Sequence, residues 1–195
     1  MKKIILASGS PRRKKILEQI GLKFSVEKSN YEEKRIADST PSQIVEFLSL
    51  EKANLLAVKY EDAIIIGADT LVVLNGEILG KPKSEEDAGE MLRKLRNKTH
   101  TVVTGFTVLD TKSGRSVTKH VETKVKFKDL SEMEISAYVE TGEPMDKAGG
   151  YGIQDKGGLF IEEMDGDYFN IVGLPLFAVS ETLREFGIDI TEDWK

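Results

Sequence analysis

Residues 63–74, Ala-Ile-Ile-Ile-Gly-Ala-Asp-Thr-Leu-Val-Val-Leu, constrain this chain more than any other stretch. Both flanks are continuously apolar and rich in β-branched residues, the pattern of a strand buried on both faces of a sheet. Asp69 stands in the middle of the run. A carboxylate there must be hydrogen-bonded, ion-paired or metal-bound, because burying it bare is costly. Buried acids inside strands are rare unless they are employed, which makes Asp69 a candidate for chemistry. The alternative is a carboxylate that only hydrogen-bonds a neighbouring turn. Gly67 and Ala68 keep the backbone close to whatever lies alongside. Asn75-Gly76 then predicts a hairpin turn into a short strand, Glu77-Ile78-Leu79.

The N-terminus carries a second signal. Ile4-Ile5-Leu6 stops at the small residues Ala7-Ser8-Gly9-Ser10, and Pro11-Arg12-Arg13 opens an amphipathic segment through Ile20. This reads as strand, tight turn and helix, with Ser10 as N-cap and Pro11 at the first helical position. The free N–H groups of such a helix start, with the Ser8 and Ser10 hydroxyls, suit an anion. Arg12 and Arg13 add positive forks that match phosphate oxygens. The same residues also read as a capped helix with two solvated arginines. The Gly-x-x-x-x-Gly-Lys-Ser/Thr spacing of a P-loop is absent.

The remaining segments follow in order. Gly21 stops the first helix. Phe24-Ser25-Val26 reads as a short strand and Ser29 to Arg35 as a polar loop. Glu32 and Glu33 there are a solvated tip or the source of one metal ligand. Thr40-Pro41 opens a long helix with Ile44, Val45, Leu48, Leu55 and Leu56 at roughly helical spacing. Lys52 lies within it, where a lone lysine is usually a surface residue. Gly80-Lys81-Pro82 is a rigid turn presenting a lysine. Ser84 caps the next helix, with Asp87 in a capping-box-like position. Thr99 to Leu109 and Val117 to Phe127 pair as a hairpin around a turn at 110–115. His100 is expected to make a strand-end hydrogen bond and carries no assigned chemistry. Ser131 caps a helix through Val139, with Glu134 at the capping-box position. Met145 to Gln154 is a glycine-rich bend whose Asp146, Lys147 and Gln154 could face a ligand. Gly158 to Ile161 reads as a strand, and Tyr168 to Pro175 enters a last long helix ending at Phe186-Gly187, before a polar tail.

Composition narrows the function. With no cysteine there is neither a disulfide nor a thiolate metal site, and only two histidines, His100 and His120, are present. A metal would therefore be a hard ion held by carboxylates. The net charge of −5 argues against a nucleic-acid polymer as partner, but not against a small anion held by local cations. No apolar run approaches the ~20 residues of a membrane span, and the N-terminal run is too short for a signal peptide. The expectation is a cytoplasmic protein without a membrane partner.

These segments together resemble the Maf family of nucleoside triphosphate pyrophosphatases. The resemblance rests on Ala7 to Arg13, Glu32-Glu33, Glu51-Lys52-Ala53, Gly67-Ala68-Asp69-Thr70, Gly80-Lys81-Pro82, Thr99-His100 to Gly105, Asp146 to Gln154 and Asn170 to Pro175. They span nearly the whole chain in the family's order. The resemblance implies a single domain over residues 1–195, an α/β fold with an elongated mixed β-sheet flanked by helices, and two lobes with a central cleft, similar to inosine triphosphate pyrophosphatases. Arg12, Thr70 and Gln154 match the branch acting on dTTP and UTP rather than 7-methyl-GTP. The implied reaction hydrolyses these, or modified pyrimidine nucleotides, to the monophosphate and pyrophosphate. Asp69 is implied as proton acceptor, and Asp69 and Glu33 as ligands of a divalent cation (Mg²⁺, Mn²⁺ or Co²⁺). Ser8, Arg12, Arg13, Lys52, Thr70, Lys81 and Gln154 are implied to bind substrate. An amide such as Gln154 offers the donor and acceptor that match the O4/N3–H edge of uracil or thymine. Relatives are often dimers, so a homodimer is compatible. Members are linked to inhibition of septum formation, which leaves a non-catalytic nucleotide sensor of cell division as the alternative. A transferase or kinase fits less well, given the missing P-loop.

Overall fold

In the computed structural model, which describes residues 2–29, 31 and 39–194 with the side chain of Asp193 excepted, the run at 63–74 is one uninterrupted strand. The elements are, in chain order, β1 (Lys3–Ala7), α1 (Pro11–Gln19), β2 (Ser25–Val26), α2 (Pro41–Ala57), β3 (Ala63–Leu74), β4 (Glu77–Leu79), α3 (Glu85–Leu95), β5 (Thr99–Asp110), β6 (Ser116–Phe127), α4 (Glu132–Val139), β7 (Ile161–Asp165), α5 (Tyr168–Val172) and α6 (Leu176–Glu185). The seven strands form one sheet in the order β2-β1-β3-β5-β6-β7, with β4 paired to β3. It is mixed: β1 runs parallel to β2 and β3, whereas β4 is antiparallel to β3 and β7 to β6. Helices flank it, as an α/β fold requires. The chain divides into two compact units, one of Met1–Asp69, Thr104–Val121 and Gly173–Lys195, the other of Thr70–Val103 and Glu122–Val172. Strands β3, β5 and β6 each pass from one unit into the other.

In the first unit, local chemistry sets the helix starts. Ser10 caps α1 with Pro11 in the first turn, and Thr40 caps α2 in a full capping box with Gln43. One core cluster joins Ala53 and Leu56 of α2 to Ile5, Ala7, Ala63, Ile65 and Leu109. Ile4, Leu6, Ile64 and Ile66 alternate to the opposite face and are no more than 2% exposed, so the sheet is covered on both sides. Two glycines admit α2 to backbone contact. A Cβ on Gly67 would lie 2.2 Å from the Ser49 carbonyl oxygen, and one on Gly105 would lie 2.4 Å from the Val45 carbonyl.

In the second unit, α3 and α4 cover a core of Val72, Leu74, Leu79, Val102, Val125 and Phe127. Asn75 (φ 50°) and Gly76 (φ 84°) turn β3 into β4, with Val72 opposite Leu79 and Leu74 opposite Glu77. Ser131 and Glu134 form the capping box of α4.

Four local expectations need correction. Asp87 is not a reciprocal cap: Ser84 accepts from the Asp87 N–H, but the Asp87 carboxylate reaches back to the Lys83 N–H. Residues 158–160 are not strand but part of a 3-10 turn, Lys156–Phe160, and the strand begins at Ile161. The cause is steric, since Gly157 and Gly158 press on Tyr138, Gly152 and Ile153 with no room for a side chain. The last helix is split into α5 and α6, because Gly173 takes φ 115° and Pro175 ends the intervening turn. The tail is not merely polar: Ile190 is buried and Trp194 donates its indole N–H to the Ile20 carbonyl at 2.9 Å. Among the described residues no helix is long and apolar enough to cross a membrane.

Candidate active site

Parallel pairing of β1 and β3 places Ala7 beside Gly67. The turn Ser8–Ser10 therefore leaves the sheet where β1 ends, beside Ala68 and Asp69, while β3 itself continues to Leu74. The carboxyl end of a parallel strand such as β1 is where open α/β sheets bind ligands. The first turn of α1 starts there too, carrying half-buried Arg12 and Arg13.

Arg13 is the connector of this corner. Its Nε donates to the Gly173 carbonyl at 2.7 Å, and its Nη1 donates to the Ala68 carbonyl at 2.9 Å and to Ser8 Oγ at 3.2 Å. One guanidinium thus ties the turn after β1 to the residue before Asp69 and to the segment entering α6. Ser8 is buried, and its hydroxyl also accepts from the Ser10 N–H at 3.2 Å.

The close approach at Gly67 brings α2 against β3, and Lys52 comes with it. Lys52 Nζ lies 2.5 Å from Asp69 Oδ1, with the two side chains 13% and 11% exposed. A lysine expected at the surface is instead the counter-charge of the strand's buried acid. Of the two carboxylates expected to ligate a metal, Asp69 is placed and Glu33 lies outside the described residues. Among the described residues no group of three or more His, Asp or Glu side chains could hold a metal ion. A single aspartate still fits a hard ion of the Mg²⁺ kind, which is commonly held by one or two carboxylates plus substrate phosphates and water.

In the second unit, Thr70 is half-buried, Lys81 is exposed on its turn, and Gln154 is exposed at the end of the glycine-rich bend. The lysine turn and the bend touch: the Gly149 N–H donates to the Gly80 carbonyl at 2.9 Å. The bend is anchored from behind by His100, whose Nε2 shares a 2.7 Å hydrogen bond with the Tyr151 hydroxyl. The His100 ring packs edge-on against Phe127 and Tyr151. Burial pushes its pKa down to about 4, so the ring is neutral.

Sequence reasoning missed Tyr138 and Glu143. The Tyr138 hydroxyl donates to Glu143 Oε1 at 2.8 Å and accepts from the Gly152 N–H at 3.2 Å. Lys147, noted as a residue that could face a ligand, is instead 8% exposed and donates to the Glu143 carbonyl and to Asp146 Oδ1, both at 2.7 Å. The only local cue to this network was the cluster of glycines around it.

Comparison with known proteins places these features in a family. A dTTP/UTP pyrophosphatase of Dictyoglomus turgidum is 50% identical over 190 residues, covering 97% of this chain and 98% of that protein. One from Methanococcoides burtonii is 46% identical over 194 residues, covering 99% of this chain and all of that protein. One from Bacillus cereus is 48% identical over 191 residues, covering 98% and 93%. Among solved structures, the Staphylococcus aureus Ham1 protein aligns over 66% of this chain and 73% of its own at a TM-score of 0.48 and 18% identity. The sequence pattern described as Maf-like protein matches residues 3–186, and with relatives this similar over their whole lengths the chain belongs to the Maf-like family.

Proposed function

We propose that the protein hydrolyses dTTP and UTP to the nucleoside monophosphate and pyrophosphate, acting as one domain over its whole length. The observation that carries this reading is the 46–50% identity to proteins named dTTP/UTP pyrophosphatase across nearly the full chain. Continuity of β3, β5 and β6 through both units supports the single domain. A cytoplasmic location suits nucleotide substrates and a chain without cysteine.

The reaction asks for three things: neutralised triphosphate charge, a water aimed at the α-phosphorus, and support for the leaving pyrophosphate. Water oxygen bonds to the α-phosphorus, the bridging α–β oxygen leaves with pyrophosphate, and the water proton passes to a base. Asp69 is the base in this reading, the acid that β3 holds beside the anion-binding turn. The Ser8 hydroxyl, the α1 helix start and Arg12 take phosphate oxygens, and Arg13 holds that turn in shape while adding positive charge. Lys52 and Lys81 supply further cations. Asp69 and Glu33 would hold the divalent ion, which supplies charge neutralisation and a more acidic water when bound. Arg12, Thr70 and Gln154 read the pyrimidine.

The test is pyrophosphate release from UTP, dTTP, CTP, ATP and GTP under Mg²⁺, Mn²⁺ and Co²⁺. Release from UTP and dTTP well above the purine nucleotides is expected. A site that hydrogen-bonds one base edge rejects others strongly, because its own polar groups are left unpaired. Equal rates on GTP and UTP would sink the pyrimidine assignment. Nucleotide binding with no pyrophosphate release would mark a sensor instead of an enzyme.

A further inference from the structure

The segment Gly152–Gly157 is a small loop with a pinched neck. A Cβ on Gly157 would sit 2.8 Å from the Gly152 carbonyl oxygen and 2.7 Å from the Tyr138 hydroxyl, so the two ends of the loop touch. The Lys147 stem fills the space over Gly152, 2.7 Å from where a Cβ would stand. Between these ends, Gln154, Asp155 and Lys156 are exposed.

The neck is held from outside the loop. Glu143 Oε1 accepts from the Gly157 N–H at 3.2 Å and from the Tyr138 hydroxyl at 2.8 Å, and Glu143 Oε2 accepts from the Lys156 N–H at 3.3 Å. The Tyr138 oxygen accepts from the Gly152 N–H at 3.2 Å. Tyr138 itself is 4% exposed and edge-stacked on Phe160, with ring centroids 4.8 Å apart, so its hydroxyl is fixed by the core. Burial, and then the neighbouring Glu143, push its pKa upward, which keeps the hydroxyl a donor. Hydrogen bonds to a carboxylate are the stronger kind, and three backbone N–H groups converge on this pair.

We infer that Tyr138 and Glu143 form a clasp that closes the Gly152–Gly157 neck and thereby positions Gln154 for base selection. Both are positioning residues: they act on the loop backbone, and the loop carries the amide. The inference rests on the reading of Gln154 as the residue that meets the pyrimidine edge. A reading amide must be held within a fraction of an ångström to discriminate, and an exposed loop tip has no such rigidity unless its base is fixed.

The experiment uses the full-length protein with Mg²⁺ and four forms: wild type, Tyr138→Phe, Glu143→Gln and Gln154→Ala. Amide hydrogen exchange is followed at residues 152–157, and kcat and KM are measured on UTP and CTP. The clasp predicts that Tyr138→Phe and Glu143→Gln still unfold cooperatively but exchange about tenfold faster in the loop. Their UTP-over-CTP ratio of kcat/KM falls by about fivefold, mostly through KM for UTP, as loss of ground-state positioning requires. Unchanged exchange in both variants overturns the clasp. Faster exchange with an unchanged UTP-over-CTP ratio overturns its role in selection, provided Gln154→Ala lowers that ratio. If Gln154→Ala leaves the ratio intact, the reading of Gln154 itself fails, and the selection role of the clasp fails with it.

Discussion

Lys52 Nζ stands 2.5 Å from Asp69 Oδ1, so the acid buried in β3 carries a helix-borne counter-charge at hydrogen-bond distance. Two residues proposed for separate tasks, proton acceptance and triphosphate neutralisation, are therefore one electrostatic unit. Each removes part of the penalty that burial imposes on the other. Asp69→Asn nearly conserves volume and should leave the fold intact while lowering turnover by ~10²–10⁴, the usual worth of a general base. Lys52→Met should lower kcat/KM by at least about tenfold and also destabilise, because buried Asp69 loses its counter-charge. Adding Asp69→Asn to Lys52→Met should return about 0.5–3 kcal/mol of stability, measured by urea unfolding of all four forms. Strictly additive stabilities would mean that the pair is not coupled.

Arg13→Lys should behave as a damaging change despite the conserved charge. The guanidinium reaches the Gly173 and Ala68 carbonyls and Ser8 Oγ from two of its nitrogens. An ammonium on a flexible stem cannot span those three acceptors in one geometry. A loss of about 1–3 kcal/mol is expected from acceptors left without a donor, seen as a lower urea midpoint with an unchanged slope. Turnover should fall too, since the Ala68 contact is next to Asp69. Wild-type stability and rate in Arg13→Lys would show that the brace is dispensable.

Gly67→Ala tests the packing that delivers Lys52. The added methyl would meet the Ser49 carbonyl at 2.2 Å, and backbone cannot swing aside as a side chain can. Helix α2 would have to lift from β3, carrying Lys52 away from Asp69. Overpacking of this kind costs about 1–3 kcal/mol or more. Thermal unfolding and pyrophosphate release should both suffer. Gly76→Ala, in open space but at φ 84°, is the comparison: it should strain the hairpin and leave turnover much less affected.

Much of this was legible in the sequence, and the reasons differ by element. The bounds of β3 follow from an apolar run with no polar break except Asp69-Thr70. The caps of α1, α2 and α4 follow from Ser10, Thr40 and Ser131, and the hairpin from Asn75-Gly76, because these signals are local. The split between α5 and α6 was available in Gly173-Leu174-Pro175, since a residue before proline leaves the helical region. The 3-10 turn at Lys156–Phe160 was not available. It exists because Gly157 packs on a tyrosine hydroxyl that tertiary structure brings there. The site divides in the same way. Asp69 is visible as an acid in an apolar strand, but its partner Lys52 is 17 residues away and is chosen by how α2 packs on Gly67. Arg13 carries a phosphate-like signature, yet three of its acceptors are protein groups that no spacing rule foretells. Glu143 has no local signature, and its importance comes only from the backbone N–H groups converging on it.

The last prediction concerns acid stability and His100. The ring is buried among Phe127 and Tyr151, and Nδ1 has no hydrogen-bond partner among the described residues. Burial lowers its pKa from 6.5 in the open chain to about 4 in the fold. Above pH 6.5 both states are neutral there, and the group adds no pH dependence. Between 6.5 and 4 the unfolded chain takes up a proton that the folded chain refuses, so stability falls as the pH is lowered through that window. Below 4 the loss is complete, at about 3 kcal/mol from a shift of this size. His100→Gln removes the titration while leaving an amide that can bond the Tyr151 hydroxyl. Urea unfolding of both forms from pH 7.5 to 4 should give profiles that converge as the pH falls, with the variant flatter. Every other titrating group contributes equally to both, so the difference isolates His100. Parallel profiles would show that the imidazole accepts its proton in the fold as readily as in the open chain, and that the cavity around it admits water.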